Sequence, residues 1–286
     1  MTEHCGYIAL IGRTNVGKST LLNELIGSTI AITCHKSHTT RTRILGILTE
    51  DQYQMVFIDS PGLGEKTSNA LQRKMMRTTD HCIAEADIIV FMTDCYPLSK
   101  ADHAILKKLD KENKPTLVLF NKIDRMDGPI DYETLADLPE CVKSVLPISA
   151  SKGIHIDLLI AQLRLNLPER PYVFGTQEQS DQPLETQYAE FIREQILLQC
   201  HAEVPHTTHV AIEQAKRMGK IMHIDALITV QTPGQKGIII GKQGQQLKSI
   251  GQRARKRIEY LIDSKVMLKL WVKVDPAWMQ RNDHHE

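Results

Sequence analysis

Eight residues near the N-terminus, Gly12-Arg-Thr-Asn-Val-Gly-Lys-Ser19, fit the pattern G-x-x-x-x-G-K-S. This phosphate-binding P-loop constrains the fold more than any other stretch, because it works only as a turn from a strand into a helix. There its glycines let backbone N–H groups converge on phosphate oxygens at the helix N-terminus. The flanking residues agree. Residues 7–11 are an apolar run of strand type, and Leu21, Leu22, Leu25 and Ile26 share one helix face. Gly12, Asn15, Val16, Gly17 and Thr20 are thus read as lining the phosphates, with Lys18 reaching the β- and γ-phosphates and Ser19 turning its hydroxyl to Mg²⁺.

Three further motifs follow in order: Asp59-Ser-Pro-Gly62, Asn121-Lys-Ile-Asp124 and Ser149-Ala150. Asp59 is expected to hold Mg²⁺ through water, and the Gly62 N–H to meet the γ-phosphate. Loss of that phosphate then releases the loop, the order-to-disorder device of nucleotide switches. The Asp124 carboxylate can accept two hydrogen bonds from N1 and N2 of guanine, a pair that adenine does not offer. Asn121 is read as holding the loop and the base edge, Lys122 as lying over the ring, Ser149 as part of the pocket, and the Ala150 N–H as the donor to O6. The expected ligands are GTP or GDP and Mg²⁺.

Between Thr29 and Arg43 a threonine should close on Mg²⁺. Thr39 and Thr40 are both present, and the sequence does not choose between them; Thr40 is taken here. His38 and Arg41 read as loop residues. The residue after Gly62 is Leu63, where Ras-like GTPases place a water-orienting Gln. Slow turnover is therefore expected, resting on Lys18, Asn15, Gly62 and Thr40. Asn15 is a candidate for holding K⁺, as an asparagine at this place does in related GTPases, and the bland alternative is a loop-stabilising Asn.

Short apolar runs at 88–92, 116–120 and 145–148 suit a mostly parallel sheet with helices on both faces, and 43–49 with 54–58 suit a strand pair. A helix over 153–167 closes this α/β domain, and Pro168 stops it. The polar stretch 169–183 reads as a linker. Beyond it come an amphipathic helix over 184–200, strands over 207–214 and 222–232, an apolar run at 237–240, a basic helix over 245–262 and a strand over 266–274.

The second half differs in charge. Residues 1–182 carry 20 Lys and Arg against 23 Asp and Glu, whereas residues 183–286 carry 15 against 11. No acid occurs from Ala226 to Ile258, which suggests a polyanionic partner. Within that stretch Gly241-Lys-Gln-Gly244 follows an Ile-rich run and precedes the basic helix. This is the G-x-x-G signature of a KH domain, which clamps about four nucleotides of a single strand. Ile240, Gly241, Lys242, Gln243 and Gly244 are read as the loop contacts. Lys248, Arg253, Arg255, Lys256 and Arg257 are read as salt-sensitive phosphate contacts, and Ile239, Ile240 and Leu247 as the lining of the base groove. The order helix–strand–strand–helix–strand suits the α+β type II arrangement.

Six scattered cysteines without C-x-x-C spacing read as free thiols of a reducing cytosol. No apolar run is long enough for a membrane span, and no secretory signal is read.

Together, GRTNVGKSTLLNELIG, HTTRTRILGI, DSPG, NKID, IIIGKQGQQLKSIGQRAR and LKLWVKV resemble the bacterial Era GTPase family from about Tyr7 to about Asp275. The resemblance implies a small-subunit ribosome assembly factor with a GTPase domain over 1–168 and a type II KH domain over 184–280, 281–286 being a tail; a cytoplasmic monomer is expected. It further implies binding near the 3′ end of small-subunit ribosomal RNA, on the 30S subunit or its precursor, gated by GTP, with peripheral association at the inner membrane face. Thr14, His38 and Ser60 stand where the family usually has proline, glutamine and threonine. Two alternatives stand beside this: a tRNA-modification GTPase, which would lack the KH signature, and a GTP-dependent RNA adaptor with negligible hydrolysis.

Overall fold

The computed structural model describes residues 2–33, 43–63, 70–126, 128, 130, 135, 138–200 and 204–278. The chain divides into two compact units, Met1–Asp181 and Gln182–Glu286.

The first unit is built on a six-stranded sheet. Its strands are β1 (His4–Gly12), β2 (Ile44–Glu50), β3 (Tyr53–Asp59), β4 (Ile88–Thr93), β5 (Thr116–Phe120) and β6 (Val142–Pro147), in the spatial order β2-β3-β1-β4-β5-β6. All neighbours are parallel except β2 and β3. Alternate residues of the central strands feed two clusters. Ile8, Leu10, Phe57 and Val90 pack with α1 (Lys18–Ile26) and α4 (Ile156–Arg164), while Ala9, Ile11, Phe91 and Val118 pack with α2 (Ala70–Glu85) and α3 (Lys100–Asp110). Helices therefore cover both faces, which is why these strands are apolar on both sides. Chain order reverses at β1, so the β1–α1 loop opens at the switch point where ligands bind in such sheets.

Two readings of this unit need correction. Helix α4 is shorter than 153–167, because Gly153 and His155 hold left-handed φ values of 66° and 60° and delay its start. Residues 169–181 are fastened to the first unit. Gln54 is fully buried, donates to the Phe174 carbonyl at 2.8 Å, and accepts from the N–H of Val173 and Phe174. Ile47 N–H donates to Gln179 O, and Tyr172 and Phe174 pack against a cluster of Leu45, Ile47, Val56 and Ile58. The stretch looks polar in one dimension because its few apolar residues are the ones that anchor it.

The second unit holds α5 (Leu184–Gln199), β7 (His209–Met218), β8 (Ile221–Val230), α6 (Pro233–Ile240), α7 (Gln245–Ile262) and β9 (Lys265–Val274), with strand order β7-β8-β9. The order is thus helix–strand–strand–helix–helix–strand. The residues read as an apolar run at 237–240 are the end of α6. The missed signal was Thr232-Pro-Gly-Gln235: the Thr232 hydroxyl accepts from the Gln235 N–H, the Gln235 side chain accepts from the Thr232 N–H, and Pro233 opens the helix. Ile239 is fully buried among Ile192, Ile228 and Ile250, so it belongs to the core and not to a base groove. No helix among the described residues is long and apolar enough to cross a membrane.

Candidate functional site

The phosphate end of the first site is built by the β1–α1 loop against the end of β3. Lys18 is buried, and its ammonium donates to Gly12 O at 3.2 Å and Arg13 O at 3.0 Å. Burial pulls its pKa down to about 8, with Asp59 opposing. Ser19 Oγ donates to Asp59 Oδ2 at 2.6 Å, and Asp59 is fully buried. Two hard oxygen donors side by side suit Mg²⁺, which needs only one or two protein oxygens beside phosphate and water. Gly62 packs on Thr14 so closely that a Cβ would stand 2.7 Å from Thr14 Cα. The Leu63 N–H donates to Gly12 O at 3.0 Å, which ties the DSPG segment to the P-loop. Ser60 is buried and donates to Leu10 O, so it is a strand tether. The Leu63 side chain packs with the cluster of Ala9, Ile11 and Phe91.

The base end gathers the later motifs at the ends of β5 and β6. Asn121 is buried and acts as a bolt. It donates to Val16 O at 2.7 Å and accepts from the Ala150 N–H at 2.9 Å. That N–H was expected to meet guanine O6; here a bond to O6 must share or replace the one to Asn121. Asp124 accepts from Ser149 Oγ at 2.5 Å, a bond that holds its carboxyl below the usual carboxylate range against some burial. It is the ionised double acceptor that guanine requires. Asn15 and Lys122 both take left-handed backbone, with φ of 65° and 67°. Lys122 donates to Asn15 O at 2.8 Å and to Asp94 Oδ2 at 2.7 Å.

One polar network here escaped the sequence reading. The Arg13 guanidinium donates to Asp94 and to Asp102, each at 3.0 Å. Asp102 is fully buried and also accepts from Thr93 and from the hydroxyl and N–H of Ser99. Through Asp94 the P-loop and the base-reading loop share one carboxylate. Ser99-x-x-Asp102 is legible as a capping box, whereas the Arg13 pairing joins residues 89 positions apart and is not.

In the second unit Gly241 and Gly244 carry left-handed φ values of 69° and 76°, and Gln243 carries 50°. Lys242, Gln243, Lys248, Arg253, Arg255 and Lys256 are exposed, and Ile240 is half-buried. Arg257 departs from the expectation. It pairs with Glu194, which is 1% exposed, and lies 5.0 Å over the Phe191 ring. Its charge is committed inside the unit.

A family model described as "50S ribosome-binding GTPase" matches residues 7–122, and one described as "KH domain" matches residues 203–279. GTPase Era of Pseudomonas aeruginosa is 43% identical over 96% of this chain and 92% of its own length, and that of Azotobacter vinelandii is 41% identical over 97% and 95%. The chain belongs to the GTPase Era family. It is a GTPase with a KH unit. Two solved Era structures agree over almost the whole chain, both at 36% identity. A variant of Aquifex aeolicus Era bound to GDP·AlF4⁻ gives a TM-score of 0.92, and Era with MgGDPNP and nucleotides 1506–1542 of 16S ribosomal RNA gives 0.90; each covers 98% of this chain and 97% of the other.

Family membership fits the placement of the motif residues. Gly12, Asn15, Val16, Gly17, Lys18, Ser19, Thr20, Asp59, Gly62, Asn121, Lys122, Asp124, Ser149 and Ala150 all lie at or just beyond the carboxyl ends of the parallel strands: Gly12 and Asp59 end β1 and β3, Lys18, Ser19 and Thr20 open α1, and the rest follow β1, β3, β5 and β6. Thr39, Thr40, His38 and Arg41 lie outside the described residues.

Proposed function

We propose that this protein is a GTP-driven switch that binds small-subunit ribosomal RNA near its 3′ end and assists assembly of the 30S subunit. What carries the reading is a pairing within one chain. Asp124 is poised as a guanine-reading carboxylate, and a Gly241–Gly244 loop with Lys242 and Gln243 exposed sits in a KH fold. Alignment over 98% of the chain with an Era complex holding both MgGDPNP and 16S RNA supports it.

Each residue has a task in this reading. Asp124 accepts from N1 and N2 of guanine, and Lys122 covers the ring. Lys18 moves from the loop carbonyls to the β- and γ-phosphates, the direction its buried positive charge favours. Ser19 and Asp59 would hold Mg²⁺, with Thr40 as the expected third ligand; when bound, the ion neutralises phosphate charge. Gly62 offers its N–H to the γ-phosphate, so hydrolysis removes the bond that ties the following loop to the site. Leu63 packs into the core and orients no water, so intrinsic turnover is slow. Asn15 is exposed at the loop tip and is the residue proposed to hold K⁺; equal hydrolysis rates in KCl and NaCl would remove that role. A cytoplasmic monomer with peripheral membrane association completes the reading, checked by sedimentation and cell fractionation.

The experiment is binding of a short oligonucleotide copying the 3′ end of the organism's own small-subunit ribosomal RNA, with GDP and with a non-hydrolysable GTP analogue. The expected result is tighter binding with the analogue, lost in Gly244→Asp. Binding indifferent to both nucleotide and loop would overturn the switch.

A further inference from the structure

The outer face of the β7–β8–β9 sheet belongs neither to the core nor to the G-x-x-G loop. On β9 the inward residues Val266, Leu268, Leu270 and Val272 pack toward the helices, and the alternate residues face out. Those are Lys265, Met267, Lys269, Trp271 and Lys273, all exposed. Trp271 is 46% and Met267 47% exposed. The register sets Trp271 beside Leu227 and Lys269 beside Asp225, and β7 adds Lys216 beside His223 on the same face. Four lysines thus stand against Asp225, with Glu213 exposed at the β7 bulge beside it. None of the four forms an ion pair with a described residue.

A protein stabilises a sheet face most simply by leaving it polar throughout. A tryptophan and a methionine alternating with lysines along one strand do something else: they offer a π-face and flanking cations at fixed spacing. Same-face residues on a strand repeat at about 6.6 Å, comparable with successive phosphates of an extended strand. Aromatic platforms with basic surrounds bind unpaired nucleic acid, because every base has a face to stack and every phosphate a charge to neutralise. A second copy of this chain is a poor occupant, since two such faces would oppose lysine to lysine.

We propose that this face is a second RNA-binding platform, taking an unpaired strand with a base stacked on Trp271 and phosphates against Lys265, Lys269 and Lys273. The proposal rests on the RNA-binding reading above and extends it beyond the Gly241–Gly244 loop.

The test uses the full chain in a Trp278→Phe background, which leaves Trp271 as the sole tryptophan. Two RNAs are compared: the short 3′-end oligonucleotide, and the same sequence lengthened by about ten unpaired nucleotides, enough to span the platform at the strand spacing above. The lengthened RNA is expected to quench Trp271 emission and to bind Trp271→Ala about tenfold more weakly, the scale of one lost stack. The combined Lys265→Gln, Lys269→Gln and Lys273→Gln variant retains the tryptophan and should lower the slope of log affinity against log salt by about 2. The short RNA should bind both variants like wild type. Trp271 and the three lysines are exposed, whereas Trp278 is half-buried and stacks on His209, so unchanged thermal melting of the Trp278→Phe background and of each variant would verify that the fold is intact. Wild-type affinity of both variants for the lengthened RNA overturns the platform while leaving the loop reading intact. So does a face that instead mediates dimerisation or binds anionic vesicles without affecting RNA. Failure of wild type to bind either RNA overturns both readings.

Discussion

Gly17 and Gly244 do the same backbone job in different surroundings. Each holds left-handed backbone at the N-terminus of a helix, α1 or α7, beside a loop proposed to meet phosphate. A Cβ on Gly17 would stand 2.3 Å from Asn121 Nδ2, whereas a Cβ on Gly244 would meet nothing within 4 Å. The first loop is walled in by Asn121, by Met92 behind Gly12 and by Gly62 on Thr14; the second is crowded at Gly241, whose Cβ would stand 2.5 Å from Gln246 Cβ, and open at Gly244. The contrast suits the ligands proposed for the two loops. A nucleotide presents the same atoms in the same geometry each time, so a preorganised cradle is favourable. An RNA backbone arrives with variable sugars and bases, so its loop needs access more than enclosure.

The largest expected effect breaks the walled loop. Gly17→Ala should weaken GDP binding by at least about two orders of magnitude, on the order of 3 kcal/mol, because the new carbon displaces the Asn121 bolt as well as straining φ. Equilibrium binding of a fluorescent GDP checks it, and an affinity within fivefold of wild type would mean the loop is not held by Asn121.

Next comes the second unit's own enclosed point. Arg257→Ala leaves Glu194 buried without its cation and should destabilise that unit by about 2–4 kcal/mol, whereas Arg255→Ala should change stability by less than about 0.5 kcal/mol. Urea unfolding of the two variants separates a structural arginine from a surface one; similar midpoints would restore Arg257 to the RNA contacts.

A third test uses pH. The folded pKa of Lys18, about 8, lies below its ordinary value of 10.5. Between these values the unfolded chain holds the proton and the folded apoprotein does not. Lys18 therefore destabilises the folded state fully below pH 8, and that penalty is relieved as pH rises toward 10.5. Phosphate favours the charged form, so GDP binding above pH 8 takes up a proton, and affinity should fall by up to roughly tenfold from pH 8 to pH 9. Lys18→Met, which binds weakly throughout, should lack this dependence.

A modest effect on stability is expected at Gly244. Gly244→Asp should cost no more than about 1–2 kcal/mol of stability, from left-handed strain alone, while abolishing RNA binding. A collapse in melting temperature would show that the loop is packed after all.

Much of this was legible along the chain. The P-loop, Asp59, Asn121 and Asp124 were readable because each motif is a few consecutive residues whose chemistry is complete in itself. The span of α7 was readable from its amphipathic period. Helix α6 was missed although its capping box stood in the sequence, because a short apolar run satisfies strand and helix patterns alike. The anchoring of residues 169–181 was missed because a polar composition hides a few well-placed contacts.

The sequence by itself determined the ligand class and both domain types, since these depend on local patterns of glycine, lysine and carboxylate. Only the tertiary structure decided which charges are spent internally. Arg13 on Asp94 and Asp102, Lys122 on Asp94 and Arg257 on Glu194 are pairings across 28 to 89 residues. Whether a charge faces solvent or a partner depends on what the fold brings within about 4 Å, and sequence separation carries no record of that distance.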